Sequence, residues 1–314
     1  MSGKIQSVCV LLTTYNRADV TIKALNSIDD ESLRIDYLVV DDASSDGTRA
    51  ALRDWNNTDT DNVTRDTNEE PLRKSKGILH IIKGSGSLYW AGGMRKGMEF
   101  LLNADKKAGE TVVKEGDKLI RRRVKPYDYL LLINDDVVFY PGIIRKMIER
   151  SKSKGDMPVT GATRDKKGKA SYGGVIYDMK KAKPRQMDIS EAEEYPVDTI
   201  NCNCFLLPWE IFREAGAFDS MYIHSLADHD YGFTLSNMGY DIWLTDFYVG
   251  ECEDNSIKGT WRDRTLSRSE RLKKKESVKG LPRKQWYYYL KKNFGSRQAI
   301  WHSITPYLRI LFGK

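Results

Sequence analysis

Short apolar runs alternate with stretches of helical spacing through the first half of the chain. Val8-Cys9-Val10-Leu11-Leu12-Thr13 reads as a buried strand, and between Val20 and Ile28 the spacing turns helical, with Ala24, Leu25 and Ile28 on one side. Tyr37-Leu38-Val39-Val40 gives a second strand that ends in Asp41-Asp42. Ser44-Ser45-Asp46-Gly47 then supplies turn and N-cap chemistry before a helix through Leu52 and Trp55. Residues 57–76 are polar, charged and nonperiodic, the pattern of a surface insertion. Ile78 to Ile82 reads as a third strand broken by Gly84-Ser85-Gly86-Ser87, and Ala91-Gly92-Gly93 leads into a helix from Met94 to about Asn103. A second charged insertion, roughly 105–126, precedes a fourth strand at Tyr129-Leu130-Leu131-Leu132-Ile133.

After that strand a helix start is expected at Pro141-Gly142, and the pattern then becomes less regular. Val159 to Ala162, Gly174 to Tyr177 and Asn201 to Leu207 look like short strands, and Ile211 to Ala215 like a short helix. Asp228 to Met238 has helical spacing and is closed by Gly239, and Asp241 to Thr245 is a last strand. Buried strands alternating with helices predict an α/β protein with a mostly parallel, doubly wound, Rossmann-like sheet and helices on both faces. No internal repeat is visible.

Composition adds a boundary condition and one asymmetry. The 314 residues have ordinary apolar and charged fractions, and no uncharged apolar run reaches the roughly 18 residues of a membrane span. The start of the chain passes directly into strand-like sequence, leaving no room for a signal peptide. Four scattered cysteines, Cys9, Cys202, Cys204 and Cys252, make neither a disulfide framework nor a paired zinc spacing. A cytoplasmic, reduced protein is the expectation. The net charge is +7, but Arg262 to Lys314 holds 15 Lys/Arg against 3 Asp/Glu; that segment alone carries +12 and the rest about −5. Its basic residues are interleaved with aromatics, including Trp286, Tyr287, Tyr288, Tyr289, Trp301 and Phe312. An anionic membrane surface, nucleic acid, or a packed helix with a solvated basic face would each explain that pattern.

The chemistry concentrates at strand ends. Asn134-Asp135-Asp136 stands where the fourth strand leaves the core, the edge at which open α/β sheets place ligands. Two adjacent carboxylates there suit a divalent cation bridging to a diphosphate, or else a solvated loop with an N-cap.

Five pieces in order give the chain a resemblance. Thr13-Thr14-Tyr15-Asn16-Arg17 follows the first strand, Val40-Asp41-Asp42-Ala43-Ser44-Ser45-Asp46-Gly47-Thr48 the second, and Leu88-Tyr89-Trp90-Ala91-Gly92-Gly93-Met94 the third. Asn134-Asp135-Asp136 looks like a variant Asp-x-Asp motif, and Asp228-His229-Asp230-Tyr231 is followed by Tyr240. Over roughly residues 7–250 the chain resembles the inverting nucleotide-sugar glycosyltransferases of family 2, of the bacterial polysaccharide and O-antigen type, which have the GT-A fold.

That resemblance implies a role for each piece. Thr14, Tyr15, Asn16 and Arg17 would wall the nucleotide base, and Asp41 or Asp42 would accept hydrogen bonds from a pyrimidine imide or a ribose hydroxyl. Trp90 would stack on a sugar or acceptor, or belong to the core. Gly92 and Gly93 would allow close approach to a ligand or tight helix packing. Asp136 would ligate Mn²⁺ or Mg²⁺, with Asn134 and Asp135 orienting ribose, sugar or metal-bound water. Asp228 would be the base that deprotonates the acceptor, with Asp230 an acceptor or supporting contact and His229 the runner-up base on chemistry alone. Cys202 and Cys204 fall in the expected donor-sugar region and read as small buried side chains.

Two departures stand out. Asn134 replaces the usual first Asp. No histidine follows the last strand, where Val249 to Ser256 offers only Glu251 or Cys252, so the third protein ligand is unassigned. The organisation implied is a GT-A domain over 1–260, with a nucleotide half to about 136 and an acceptor half to 260, then a basic, aromatic helical extension over 261–314. The partners implied are a UDP- or dTDP-linked sugar and a glycan or lipid-linked acceptor, with no nucleic acid. Residues 262–314 would make a peripheral contact at the inner face of the cell membrane, or would close the active site through Trp261 to Arg264. A sugar-nucleotide-forming nucleotidyltransferase is the nearest rival, but it calls for a Gly-rich Arg/Lys loop after the first strand, and Thr13 to Arg17 is not one. A noncatalytic nucleic-acid-binding protein is supported by the C-terminal charge alone.

Overall fold

The computed structural model describes residues 5–57, 72–74, 77–115 and 118–312. The strands are β1 Ser7–Thr14, β2 Arg34–Asp41, β3 Leu72–Lys74, β4 Gly77–Lys83, β5 Glu110–Glu115, β6 Lys118–Arg123, β7 Tyr129–Ile133, β8 Val138–Phe139, β9 Val159–Arg164, β10 Gly174–Asp178, β11 Lys183–Gln186, β12 Thr199–Ile200, β13 Cys204–Pro208 and β14 Trp243–Glu251. The helices are α1 Ala18–Asn26, α2 Thr48–Asn57, α3 Tyr89–Lys107, α4 Ile143–Ser153, α5 Trp209–Ala215, α6 Ala227–Asn237, α7 Arg268–Glu276, α8 Arg283–Phe294 and α9 Ser296–Leu311.

The main sheet runs in the order β3-β4-β2-β1-β7-β13-β9-β14-β8. β4, β2, β1 and β7 are mutually parallel, and β9 and β14 point the same way, whereas β13 is inserted antiparallel between β7 and β9. Alternate residues of one strand feed two separate cores: Val8, Val10 and Leu12 of β1 pack with α1, α2 and α4, while Cys9 and Leu11 pack with α3, α5 and α6. Burial on both faces explains why these strands read as continuous apolar runs. It also puts the C-terminal ends of β1, β2 and β7 on one edge, where their polar residues converge.

Several boundaries differ from the sequence reading, each for a local reason. Of the polar stretch 57–76, residues 58–71, 75 and 76 lie outside the described residues. The stretch 105–126 begins inside α3, where buried Asp105 accepts from Trp209 Nε1 and binds the Arg213 guanidinium, and it continues as the antiparallel hairpin β5–β6. The strand expected over 201–207 begins only at Cys204, as β13, because the chain first pairs elsewhere as β12. β12 pairs with β10 in a small three-stranded sheet, and the chain crosses at Asn201–Asn203 before entering the main sheet as β13. β14 runs six residues beyond Thr245 through two register shifts that break its alternation, and at Gly250 a Cβ would come within 2.3 Å of the Val138 carbonyl oxygen. That close approach to β8 carries the strand on to Cys252.

Candidate active site

α3 begins at Tyr89, five residues before the helix expected from Met94, because its cap comes from elsewhere in the chain. Asp42, 4 % exposed, accepts the backbone N–H of Gly86 at 2.7 Å through Oδ1, and those of Leu88 at 2.8 Å and Tyr89 at 3.1 Å through Oδ2. The first-turn donors of α3 are thus satisfied by a carboxylate more than forty positions upstream. Asp41 is buried too, its Oδ1 taking the Ser44 amide at 3.0 Å. Asp42 still borders the cleft described below; Asp41 does not. Asp42→Ala is expected to destabilise the fold by about 3 kcal/mol, since three amides lose a charged acceptor. A urea-unfolding difference below about 1 kcal/mol would remove this anchoring role from Asp42.

Neither Gly92 nor Gly93 lines the cleft; of close approach to a ligand and tight helix packing, the two roles expected of them, packing is the one seen at Gly93. Both are inside α3. A Cβ on Gly93 would come within 2.1 Å of Thr13 Oγ1 and one on Gly97 within 2.4 Å of Leu11, so the glycines let the helix lie against β1.

A cleft of about 470 Å³ opens at the edge where β1, β2 and β7 end, bordered by Thr13, Thr14, Tyr15, Arg17, Asp42, Gly86, Tyr89, Trp90, Asp135, His224 and Lys279. Asn16 is latched beside it: its amide donates to Ser44 Oγ at 2.9 Å, and its side-chain oxygen accepts the Ser45 amide at 2.7 Å. Trp90 is half-buried, resting on Phe218, and its Nε1 donates to Asn134 Oδ1 at 2.8 Å. Among the described residues, four of the six non-glycine positions with positive φ (Asn16, Ala43, Tyr89 and Leu226) are in loops around this edge or at the start of α6. Such strain persists only where the surroundings over-determine it, and it gathers at functional sites.

Arg17 spans the two carboxylates, Nη1 lying 2.8 Å from Asp135 Oδ1 and Nη2 3.1 Å from Asp136 Oδ2. Burial raises the Asp135 carboxyl to about 6, with the Arg17 guanidinium opposing the shift. Asp136 is more open, its side chain 37 % exposed. On its other side Cys252 Sγ lies 3.8 Å from Asp136 Oδ1, and Asn203 Nδ2 donates to the same sulfur at 3.3 Å. Burial, reinforced by the charge of Asp136, pushes the Cys252 thiol up to about 12. Of the two candidates for a third ligand, Cys252 is therefore the one brought to Asp136; Glu251 faces the Tyr140 hydroxyl instead.

No group of three or more His, Cys, Asp or Glu is assembled for a metal ion among the described residues. The donor set nonetheless fits a cation that arrives on a diphosphate. Such ions take one or two carboxylates and complete their shell with phosphate oxygens and water, and Asp136 presents an open carboxylate beside Asp135.

At the start of α6, Asp228 is half-buried. Its Oδ2 accepts the Cys202 amide at 3.3 Å and its Oδ1 the His229 amide at 2.9 Å. Cys202 and Cys204 are themselves buried, as expected, and Cys202 acts here through its backbone amide. His229 has both ring nitrogens engaged, Nδ1 with the Tyr177 hydroxyl at 3.3 Å and Nε2 with Asn201 Nδ2 at 3.2 Å. Asp230 is buried and cannot touch an acceptor. Its carboxylate binds the Tyr222 hydroxyl, Lys292 Nζ at 2.6 Å and Asn293 Nδ2 at 3.0 Å, which joins α6 to α8.

Five cleft residues had no role assigned from the sequence: Thr13, Gly86 and Tyr89, which lie in or beside the quoted motifs, and His224 and Lys279, which do not. His224 Nδ1 is buried with no hydrogen-bond partner, and burial, then the nearby Lys279, lowers the ring's pKa. Lys279 comes from the turn between α7 and α8, where Gly280 packs so tightly that a Cβ would sit 2.1 Å from the Lys274 carbonyl oxygen. That glycine, interrupting a basic helical run, was the one available signal.

Residues 9–89 match the family model of glycosyl transferase family 2. That segment, about a quarter of the chain, is similar to family 2. It contains the β1 and β2 ends, the Asp42 anchor and Tyr89, so one wall of the cleft falls within the matched segment. The fold is GT-A. Over 99 % of its length the chain superposes on 75 % of mannosyltransferase PcManGT from Pyrobaculum calidifontis, whose structure is a complex with GDP-Man and Mn²⁺, with a TM-score of 0.52 and 14 % identity. At that identity the likeness is one of fold. None of the curated proteins compared matches the sequence.

Proposed function

We propose that the chain is an inverting glycosyltransferase, moving a hexosyl or deoxyhexosyl group from a UDP- or dTDP-linked sugar to a hydroxyl of a glycan or lipid-linked saccharide. The observation that carries this reading is the cleft at the shared edge of β1, β2 and β7, with Asp135 in its wall and Asp136 beside it, in a chain whose residues 9–89 match family 2. Tyr15, Tyr89 and Trp90 offer aromatic faces for base and sugar, and Arg17 and Lys279 offer cationic groups for the two phosphates. Asp136, supported by Asp135, would hold Mn²⁺ or Mg²⁺. Such an ion, when bound, supplies Lewis-acid charge that offsets the negative charge gathering on the departing nucleoside diphosphate.

Asp228 removes the acceptor's proton. As the acceptor oxygen bonds to the anomeric carbon from one face, the bond to the diphosphate breaks on the other and the proton passes to the Asp228 carboxylate, which the Cys202 amide keeps oriented. Of the extension over 261–314, Lys279 borders the cleft and Trp261 to Arg264 do not, so any closure by it would run through Lys279.

A thermal-shift panel of UDP-, dTDP- and GDP-linked sugars, with and without Mn²⁺, tests the reading. A pyrimidine nucleotide sugar is expected to raise the midpoint, and more so with Mn²⁺. Absence of a shift with every donor would overturn the proposal.

A further inference from the structure

α9 buries one side and leaves the other unpartnered. Ala299, Ser303, Pro306 and Ile310 face inward. Pro306 has no N–H for the carbonyl of His302, and that oxygen is taken by Trp286 Nε1 of α8 at 3.0 Å, so the inner face is satisfied in spite of the proline. The outer face carries Ile300, Ile304, Leu308 and Leu311 at helical spacing, flanked by Trp301 at 67 % and Phe312 at 72 % exposure.

Cations border this stripe at one end. A groove of about 750 Å³ is lined by Lys180, Lys181 and Arg297 together with Ile300, Trp301 and Ile304. Gln298 donates to the Lys180 carbonyl and ties α9 to the turn between β10 and β11. Among the described residues Lys181 pairs with Asp178 at 3.3 Å, whereas Lys180 and Arg297 have no ion-pair partner. Exposed Met179 stands on the same turn.

We propose that this face docks on an anionic lipid bilayer, with headgroup phosphates at Lys180, Lys181 and Arg297 and the stripe from Ile300 to Phe312 sunk to the headgroup–acyl boundary. The charges select the occupant. A helix that combines an apolar face with adjacent unpaired cations has both of the signals that stable attachment to an anionic surface needs, each being weak alone. No helix among the described residues is long and apolar enough to cross a membrane, so the contact is a surface one. The inference goes beyond the transferase reading and does not depend on it, because vesicle binding needs no donor.

Sedimentation with vesicles of phosphatidylcholine, alone or mixed equally with phosphatidylglycerol, tests it. The native chain is expected to pellet with the mixed vesicles at least about tenfold more than with the neutral ones, and less as salt is raised. Trp301→Glu with Ile304→Glu should abolish pelleting at unchanged thermal midpoint, and Lys180→Glu with Arg297→Glu should remove the preference for anionic lipid. A native chain that stays in the supernatant, equal pelleting of both double variants, or a concentration-dependent dimer broken by Trp301→Glu without vesicle binding would each overturn the proposal. The donor panel, run on the same variants, reports separately on the transferase reading.

Discussion

Asp228→Asn is expected to lower the rate of sugar transfer by about 10²–10⁴-fold, the range that a positioned general base contributes. Donor binding should stay unchanged, because Asp228 does not border the nucleotide cleft; its contacts are the amides of Cys202 and His229. The asparagine keeps one acceptor for those two amides, so the stability cost is about 1 kcal/mol and the fold persists. Single-turnover transfer together with the donor-induced thermal shift separates the two quantities. Transfer near the native rate would move the base elsewhere. His229 is a poor replacement, since Tyr177 and Asn201 occupy both of its ring nitrogens.

Legibility in the sequence followed the range of the interactions. β1, β2 and β7 were readable because burial on both faces makes each a contiguous apolar run, β4 by its apolar run although only Leu79 of it is buried, and Asp46, Gly142 and Gly239 marked helix ends by local chemistry. The start of α3 was not readable. Its cap, Asp42, is more than forty residues away, and Gly93, read as leading into the helix, lies within it and with Gly97 forms the face laid against β1. The bulged β14 hid for a related reason, since its register shifts destroy the alternation that marks a strand.

The candidate site divides the same way. Residue types at a strand end pointed to Asp135 and Asp136, and the family resemblance pointed to Asp228 at a helix start, with Asp230, two positions along, as an acceptor or supporting contact. Their environments separate Asp228 from Asp230. Asp230 faces inward to Tyr222, Lys292 and Asn293 and serves as the joint between α6 and α8, a role set by a segment more than sixty residues later. The basic extension read either as a surface feature or as a closure through Trp261 to Arg264, while the structure brings its Lys279 to the cleft and leaves the apolar face of α9 outside.

Asp136→Ala is expected to remove the Mn²⁺-dependent part of the donor-induced thermal shift and to lower transfer on the order of 10²–10⁴-fold, the rate equivalent of several kcal/mol of lost charge stabilisation. The fold should be indifferent. The Arg17–Asp136 pair joins side chains 42 % and 37 % exposed, and an ion pair that open is worth about 1 kcal/mol or less. Arg17 also keeps its 2.8 Å contact to Asp135. The guanidinium now lying across both carboxylates occupies Asp136 Oδ2 and offsets the pair's charge, so Arg17→Ala provides the counter-measurement. It should strengthen the response to Mn²⁺ in the absence of donor, because two neighbouring carboxylates lose their standing counter-charge, and weaken the response to the donor, because one phosphate contact is gone. If Asp136→Ala left the Mn²⁺ dependence intact, the ligand would have to be sought in Asp135 or Cys252, and Arg17 would be a wall of the cleft instead of a competitor for its metal site.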